Sequence, residues 1–154
     1  MVRPTLEYAA TVWDPHLEQE KAPLEKVQRR AARYVFNNYT DRNPGSVTTM
    51  LNKLYWDSLE TRRQNMRLVM LYKIKNSLVA IAAAAYTFPS DPRTRGAGRL
   101  HQEYALHPAL SNSFFPRTIS EWNKLPTLVS SAPSLESFRS RLGGSLLQSG
   151  MRAP

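Results

Sequence analysis

An amphipathic pattern in residues 24–39, LEKVQRRAARYVFNNY, constrains the fold of this chain more than any other feature. With about 100° between successive residues of a helix, the apolar side chains fall within roughly one third of the circumference. They are Leu24, Val27, Ala31, Tyr34 and Val35. Four basic side chains cluster around the opposite side, namely Lys26, Arg29, Arg30 and Arg33. The pattern predicts a helix that buries its apolar stripe and turns its basic stripe towards water or an acidic partner.

The remaining sequence predicts a mainly α fold, a single helical domain of five or six helices over residues 1–142, followed by a frayed tail at 143–154. Turn and capping residues separate the helices, and the Asp-x-x-Glu sequence at 57–60 has the form of a capping box. Residues 82–112 are predicted to be an irregular or extended segment. Pro23 is expected to divide the second helix or to mark its start. The predicted helices cover 4–13, 17–38, 47–54, 57–79, 116–124 and 135–142.

The charge of the chain favours a polyanionic partner, nucleic acid first. The formal net charge is +9, and residues 26–75 hold eleven Lys or Arg against three acids, a surplus of +8. Within that range a second basic surface is expected early in the 57–79 helix, from Arg62, Arg63 and Arg67. The alternative is that both basic surfaces are solvated helix faces, partly neutralised by nearby glutamates.

Residues 113–126, SFFPRTISEWNKLP, hold a second notable group of aromatic and apolar side chains, Phe114, Phe115, Ile119, Trp122 and Leu125. Such side chains can stack on bases, but a set of this kind more often anchors a loop on the core, and we expect core packing here. Arg117 is the one residue of this segment expected to face a phosphate.

Several kinds of site are excluded by residues that the sequence lacks. There is no cysteine, and the three histidines are His16, His101 and His107. His101 and His107 are six residues apart, with no acid or cysteine near them at a zinc-ligand spacing. No phosphate-binding loop, nucleophile elbow or metalloprotease motif occurs. We therefore predict no catalytic residue, no metal and no cofactor. The longest apolar run is too short to span a bilayer and no signal peptide is expected, so an intracellular protein of the nucleus or cytoplasm, with no membrane partner, is predicted.

Five phrases together resemble the C-terminal part of reverse transcriptases of non-LTR retrotransposons, of the jockey-like type within the LINE class. The resemblance runs from about Val2 to Leu142, in the expected order. The phrases are VRPTLEYAATVWDPH, LEKVQRRAARYVFNNY, SVTTMLNKLYWDSLETRR, RLVMLYKI and NSFFPRTISEWNKLP.

The resemblance implies the end of the polymerase thumb and the helical segment that follows it. The family's aromatic-Ala-Asp-Asp polymerase turn and its endonuclease residues do not occur in this sequence, so no catalytic residue carries over. The implied role is accessory, holding the backbone of template RNA, primer or target DNA. An alternative is an inert transposon remnant, or a helical module whose basic face packs on the polymerase palm. Met1 directly before the first phrase suggests a reading frame cut from a longer element.

Overall fold

The computed structural model describes residues 3–90, 99–102 and 106–150. These ranges are mainly helical and contain no β-strand, only an isolated antiparallel bridge between Pro89 and Leu100, so the predicted mainly α class is confirmed. The chain divides into two compact units, Met1–Gln64 and Asn65–Pro154.

The first unit is built from four helices and the start of a fifth. They are α1 (Arg3–Glu7), α2 (Ala10–Trp13), α3 (Glu18–Val35), α4 (Ser46–Lys53) and the part of α5 (Leu59–Lys75) as far as Gln64. The predicted 4–13 helix is interrupted at Ala9, whose φ of +50° lies in the left-handed region. Pro23 neither divides α3 nor marks its start, since it is the sixth residue of a helix that begins at Glu18. Its ring removes the N–H that would bond to the Gln19 carbonyl, and the helix continues past it.

The first turn of α5 is capped differently from the predicted box. Ser58 Oγ accepts a hydrogen bond from the Thr61 N–H at 3.1 Å, and Glu25 of α3 accepts one from the Glu60 N–H at 2.9 Å. The box between Asp57 and Glu60 was therefore the wrong prediction. A serine one residue later and a carboxylate from another helix satisfy these N–H groups instead.

The first unit buries few large apolar side chains. Its buried apolar residues are Ala10, Ala32, Met50 and Leu59, and they are accompanied by the buried polar side chains of Gln28 and Arg63. α3 packs against α4, and Gln28 Nε2 donates to the Asp57 carbonyl at 2.8 Å. Hydrogen bonds and ion pairs therefore supply much of the contact between the helices of this unit.

The second unit has a larger apolar core. It contains the rest of α5, a 3₁₀ turn (Ala83–Ala85), α6 (Pro108–Ser111), α7 (Phe114–Trp122), α8 (Thr127–Ser130) and α9 (Leu135–Gly150). The core side chains of these helices are Leu68, Leu71, Tyr72, Ile119, Trp122, Val129, Phe138 and Leu142. The ring of Phe138 stacks on Tyr72 and Trp122 at centroid distances of 4.6 and 5.4 Å. The expected core role of the 113–126 segment is thus confirmed for Ile119 and Trp122.

The boundaries differ from the predicted ones through short helices and through the length of α9, which continues to Gly150, into the predicted frayed tail at 143–154. α2, α6 and α8 each have four residues, so the described ranges contain more helices than the five or six predicted. α5 ends at Lys75, before the predicted position 79, and Ser77 after it adopts a left-handed φ of +55°. The described part of the 82–112 segment holds the 3₁₀ turn, the bridge between Pro89 and Leu100 and α6, so it is only partly irregular. Residues 91–98 and 103–105 lie outside the described residues.

Candidate nucleic-acid interface

The outward face of α3 carries the basic stripe. Lys26, Arg29 and Arg30 are exposed, while Gln28 and Ala32 on the other side of the helix are buried. Lys26 and Arg30 lie one turn apart, about 6 Å along the axis. Among the residues that the structure describes, none forms an ion pair or side-chain hydrogen bond with these three cations. Their charges are therefore available to an anion from solution.

The side of α3 that is buried differs from the predicted side by about a quarter-turn. Burial is centred on Gln28 and Ala32, one residue after the expected Val27 and Ala31, while Val27, Tyr34 and Val35 are exposed. The predicted apolar stripe was wrong because α4 and the first turn of α5 contact α3 through polar groups as well as apolar ones. Lys21 donates to Glu60 at 2.6 Å, and Gln28 to the Asp57 carbonyl.

Tyr34 consequently shares the outer surface with the cations. Its side chain is 74% exposed and lies one turn beyond Arg30, on the same side of α3. Proteins bind single-stranded nucleic acids with this combination, because bases stack on the aromatic ring and phosphates contact the guanidinium groups.

Arg33 is directed elsewhere than the other cations of the stripe. It is half-buried, and its Nη1 donates to the Asp41 carbonyl at 2.6 Å. The Asn38 Oδ1 accepts from the Asp41 N–H at 3.1 Å in the same turn. Arg33 thereby connects the last turn of α3 to the loop that follows, and part of its hydrogen-bonding capacity is used within the fold.

Arg62 and Arg63 form ion pairs inside the first unit. The Arg62 guanidinium pairs with Glu7 through two contacts, one of them Nη2 to Oε2 at 2.8 Å, and this hydrogen bond raises the pKa of Arg62. Arg63 is only 1% exposed, with its Nε 2.7 Å from Asp14 Oδ1 and its guanidinium carbon 6.0 Å from the Trp13 ring centroid. Burial lowers the pKa of Arg63. Both arginines hold α5 against the segment of α1 and α2.

Arg67 and Arg117 meet the same carboxylate in the second unit. Arg67 is 3% exposed, and its Nη2 lies 2.6 and 2.9 Å from the two carboxylate oxygens of Glu121. Arg117 is half-buried, with its Nε 3.9 Å from Glu121 Oε1. Burial lowers the pKa of Arg67, and Glu121 opposes that shift.

The eight predicted contacts therefore divide into two groups. Lys26, Arg29 and Arg30 share one exposed surface, and the other five contact groups of the protein itself. Arg63 and Arg67 were predicted to face outward, but the structure buries both of them. Their partners lie 49 and 54 residues away in sequence, so the local patterns used for the prediction contained no signal of the pairing.

A groove between α3 and α4 lies beside the exposed cations and was not anticipated. Its volume is about 530 Å³, and Lys26 and Arg29 line it from α3, Thr48 and Asn52 from α4, and Trp56 from the loop that follows. The sequence did hold one signal for it, since Thr48 and Asn52 are polar residues one helical turn apart and therefore share a face of α4.

No group of three or more His, Asp or Glu side chains among the described residues could hold a metal ion. No helix in those ranges has the length and apolar character needed to cross a membrane.

Comparison of the chain with protein-family models, with curated proteins and with solved structures finds no match in any of the three. The resemblance to the retrotransposon reverse transcriptases therefore remains a prediction from the five quoted phrases.

Proposed function

We propose that this chain is a non-catalytic, nucleic-acid-binding region of the kind that follows the thumb in non-LTR reverse transcriptases. In this proposal it holds the backbone of RNA or DNA on the outward face of α3. The observation that carries the proposal is the set of three exposed cations there, Lys26, Arg29 and Arg30, which have no acidic partner among the described residues.

The chemistry of these side chains suits phosphate. A guanidinium group presents paired N–H donors that match two phosphate oxygens, and an ammonium group adds a compact positive charge. Contacts of this kind position a protein on nucleic acid without reading the sequence of bases. The buried arginines contrast with them, since Arg63 and Arg67 could reach a phosphate only by leaving their carboxylate partners.

The resemblance supports the same role, because its second phrase contains all three exposed cations. The polymerase and endonuclease motifs of the family do not occur in the sequence, so the proposed role is to hold nucleic acid for a polymerase domain. Template, primer and target strands are all candidates for the bound strand.

A second candidate function is a helical module that packs on a polymerase palm. It is favoured by the exposed apolar side chains of the first unit, among which Tyr8, Val12 and Tyr55 are more than four-fifths exposed. Acidic residues of that neighbouring domain would then be the partners of the α3 cations.

Fluorescence anisotropy with an RNA–DNA hybrid duplex across a salt series tests the first proposal. The variant is Lys26→Glu/Arg29→Glu/Arg30→Glu. Each phosphate contact contributes about 0.9 to the log–log salt slope, as on B-DNA, so three contacts predict a slope of roughly −3 and eight would give roughly −7. For the native chain we expect the slope of roughly −3. For the triple variant we expect that salt-dependent binding disappears.

The matched control reverses three exposed cations elsewhere, Lys53→Glu/Lys124→Glu/Arg139→Glu. Because each reversal removes two charges, both triple variants lower the formal net charge from +9 to +3. The control is expected to keep most of the affinity. Equal losses in the two variants would contradict a defined binding surface, and duplex binding that neither variant alters would refute the proposal and favour the packing module.

A further inference from the structure

The charged side chains that line the α3–α4 groove differ in whether they bond to other groups of the protein. Near the start of α5, Lys21 bonds to Glu18 at 2.9 Å and to Glu60 at 2.6 Å, while Glu25 accepts from the Glu60 N–H. All three carboxylates that line the groove therefore bond to groups of the protein.

Two cations that line the same groove have no such partner among the residues that the structure describes. Lys26 and Arg29 are exposed and, in the described part of the chain, bond to no carboxylate. Glu25 lies one turn before Arg29 on α3, about 6 Å along the axis, but its Oε1 accepts the Glu60 N–H at 2.9 Å. An anionic group that enters the groove therefore meets two cations that are bonded to no described carboxylate, beside carboxylates that already bond to groups of the protein.

The uncharged lining offers a flat ring and hydrogen-bonding groups. Trp56 contributes its indole, and the exposed side chains of Thr48 and Asn52 form no hydrogen bond with the residues that the structure describes. An asparagine amide carries both donors and acceptors and can bond to the edge of a base. A volume of about 530 Å³ lies within the usual range for sites that hold a small organic group.

We propose that this groove binds one nucleotide of a single-stranded nucleic acid, with the base against Trp56 and the phosphate on Lys26 and Arg29. The inference rests on the proposed function and adds to it a preference for unpaired strands. Only an unpaired base can leave its neighbours and enter a groove beside an aromatic ring, whereas a duplex presents its backbone and keeps its bases stacked.

Trp56→Ala, measured by anisotropy with a fluorescein-labelled single-stranded RNA and with the RNA–DNA hybrid of the same sequence, tests this inference. Loss of one stacked base should weaken single-strand binding roughly 5- to 150-fold. Binding of the hybrid should change less than twofold, because it depends on the α3 cations. Trp56→Phe keeps an aromatic face and should restore most of the single-strand affinity.

Tyr55→Ala is the matched control. Tyr55 precedes Trp56, is 94% exposed and does not line the groove, so its removal should leave single-strand affinity unchanged. Asn52→Ala provides a second variant at an exposed position and should weaken single-strand binding severalfold. If circular dichroism shows that Trp56→Ala has unfolded, Asn52→Ala and Trp56→Phe decide the question.

Three outcomes would overturn the inference. The first is an unchanged single-strand affinity in folded Trp56→Ala or in Asn52→Ala. The second is a loss of single-strand affinity in Tyr55→Ala equal to that in Trp56→Ala. The third is a polyglutamate peptide that displaces the RNA with equal affinity and with the same dependence on Trp56. If the groove variants keep their single-strand affinity while the reversal of Lys26, Arg29 and Arg30 still abolishes nucleic-acid binding, this inference alone is refuted. Absence of salt-dependent binding to either nucleic acid would refute the proposed function as well.

Discussion

Replacing Glu121 by glutamine tests the energetic role of the buried ion pair in the second unit. The substitution keeps the shape of the side chain but removes the negative charge that faces Arg67. Because Arg67 is 3% exposed, its guanidinium would remain charged in a site that water barely reaches. Arg117, whose Nε lies 3.9 Å from Glu121 Oε1, would lose the same carboxylate.

The magnitude follows from the geometry of the pair. Removing one partner of a fully buried ion pair costs about 3–5 kcal/mol. Here the Glu121 side chain keeps 19% of its exposure, so water reaches part of the pair, and the glutamine oxygen can still accept one of the two hydrogen bonds. We therefore expect Glu121→Gln to lower the free energy of unfolding by about 2–3 kcal/mol.

Urea unfolding followed by far-UV circular dichroism measures this loss. Glu136→Gln, at an exposed acid on α9, is the matched control and should change the free energy of unfolding by less than about 0.5 kcal/mol. The double variant Arg67→Met/Glu121→Leu removes the buried guanidinium of Arg67 together with its carboxylate and should be more stable than Glu121→Gln, which leaves that guanidinium unpaired. A loss below about 1 kcal/mol in Glu121→Gln, or a double variant less stable than the single one, would refute the reasoning.

Two further predictions concern the two units separately. Phe138→Ala should lower the free energy of unfolding by about 3–5 kcal/mol, since Phe138 is fully buried between Tyr72 and Trp122. Urea denaturation measures this change, and a loss below about 1 kcal/mol would contradict the assigned core. The Glu60 and Glu18 hydrogen bonds raise the pKa of Lys21 above its ordinary 10.5, so the stabilisation from Lys21 should be complete below pH 10.5 and disappear as the pH rises through the folded-state pKa. Urea midpoints of the native chain and of Lys21→Gln should therefore converge above that pKa, and a constant difference would exclude this linkage.

Local patterns predicted the helices of this protein well. The periodicity of residues 24–35 is sufficient to identify α3, and the apolar positions of the 57–79 stretch identify α5, because a helix depends on residues three and four apart. Core packing of Ile119 and Trp122 was also predicted, because a group of aromatic and apolar side chains packs on the core more often than it stacks on bases. The short helices α6 and α8 were missed because four residues carry too little periodicity to be recognised.

The choice of which side of α3 to bury could not be read from the same pattern. Val27 and Tyr34 are apolar, yet Gln28 is buried because the Asp57 carbonyl accepts its amide hydrogen at 2.8 Å. A buried polar group is tolerated when it finds such a partner. That partner lies 29 residues further along the chain, outside any local window.

The sequence by itself determined the mainly α class, the exposed position of Lys26, Arg29 and Arg30 and the surplus of positive charge, since these depend on composition and on neighbours within one or two turns. Only the tertiary structure decided that Arg63 and Arg67 are buried. The free energy of a charged side chain depends on whether a carboxylate reaches it after folding, and chain topology brings Asp14 and Glu121 to these arginines from about fifty residues away.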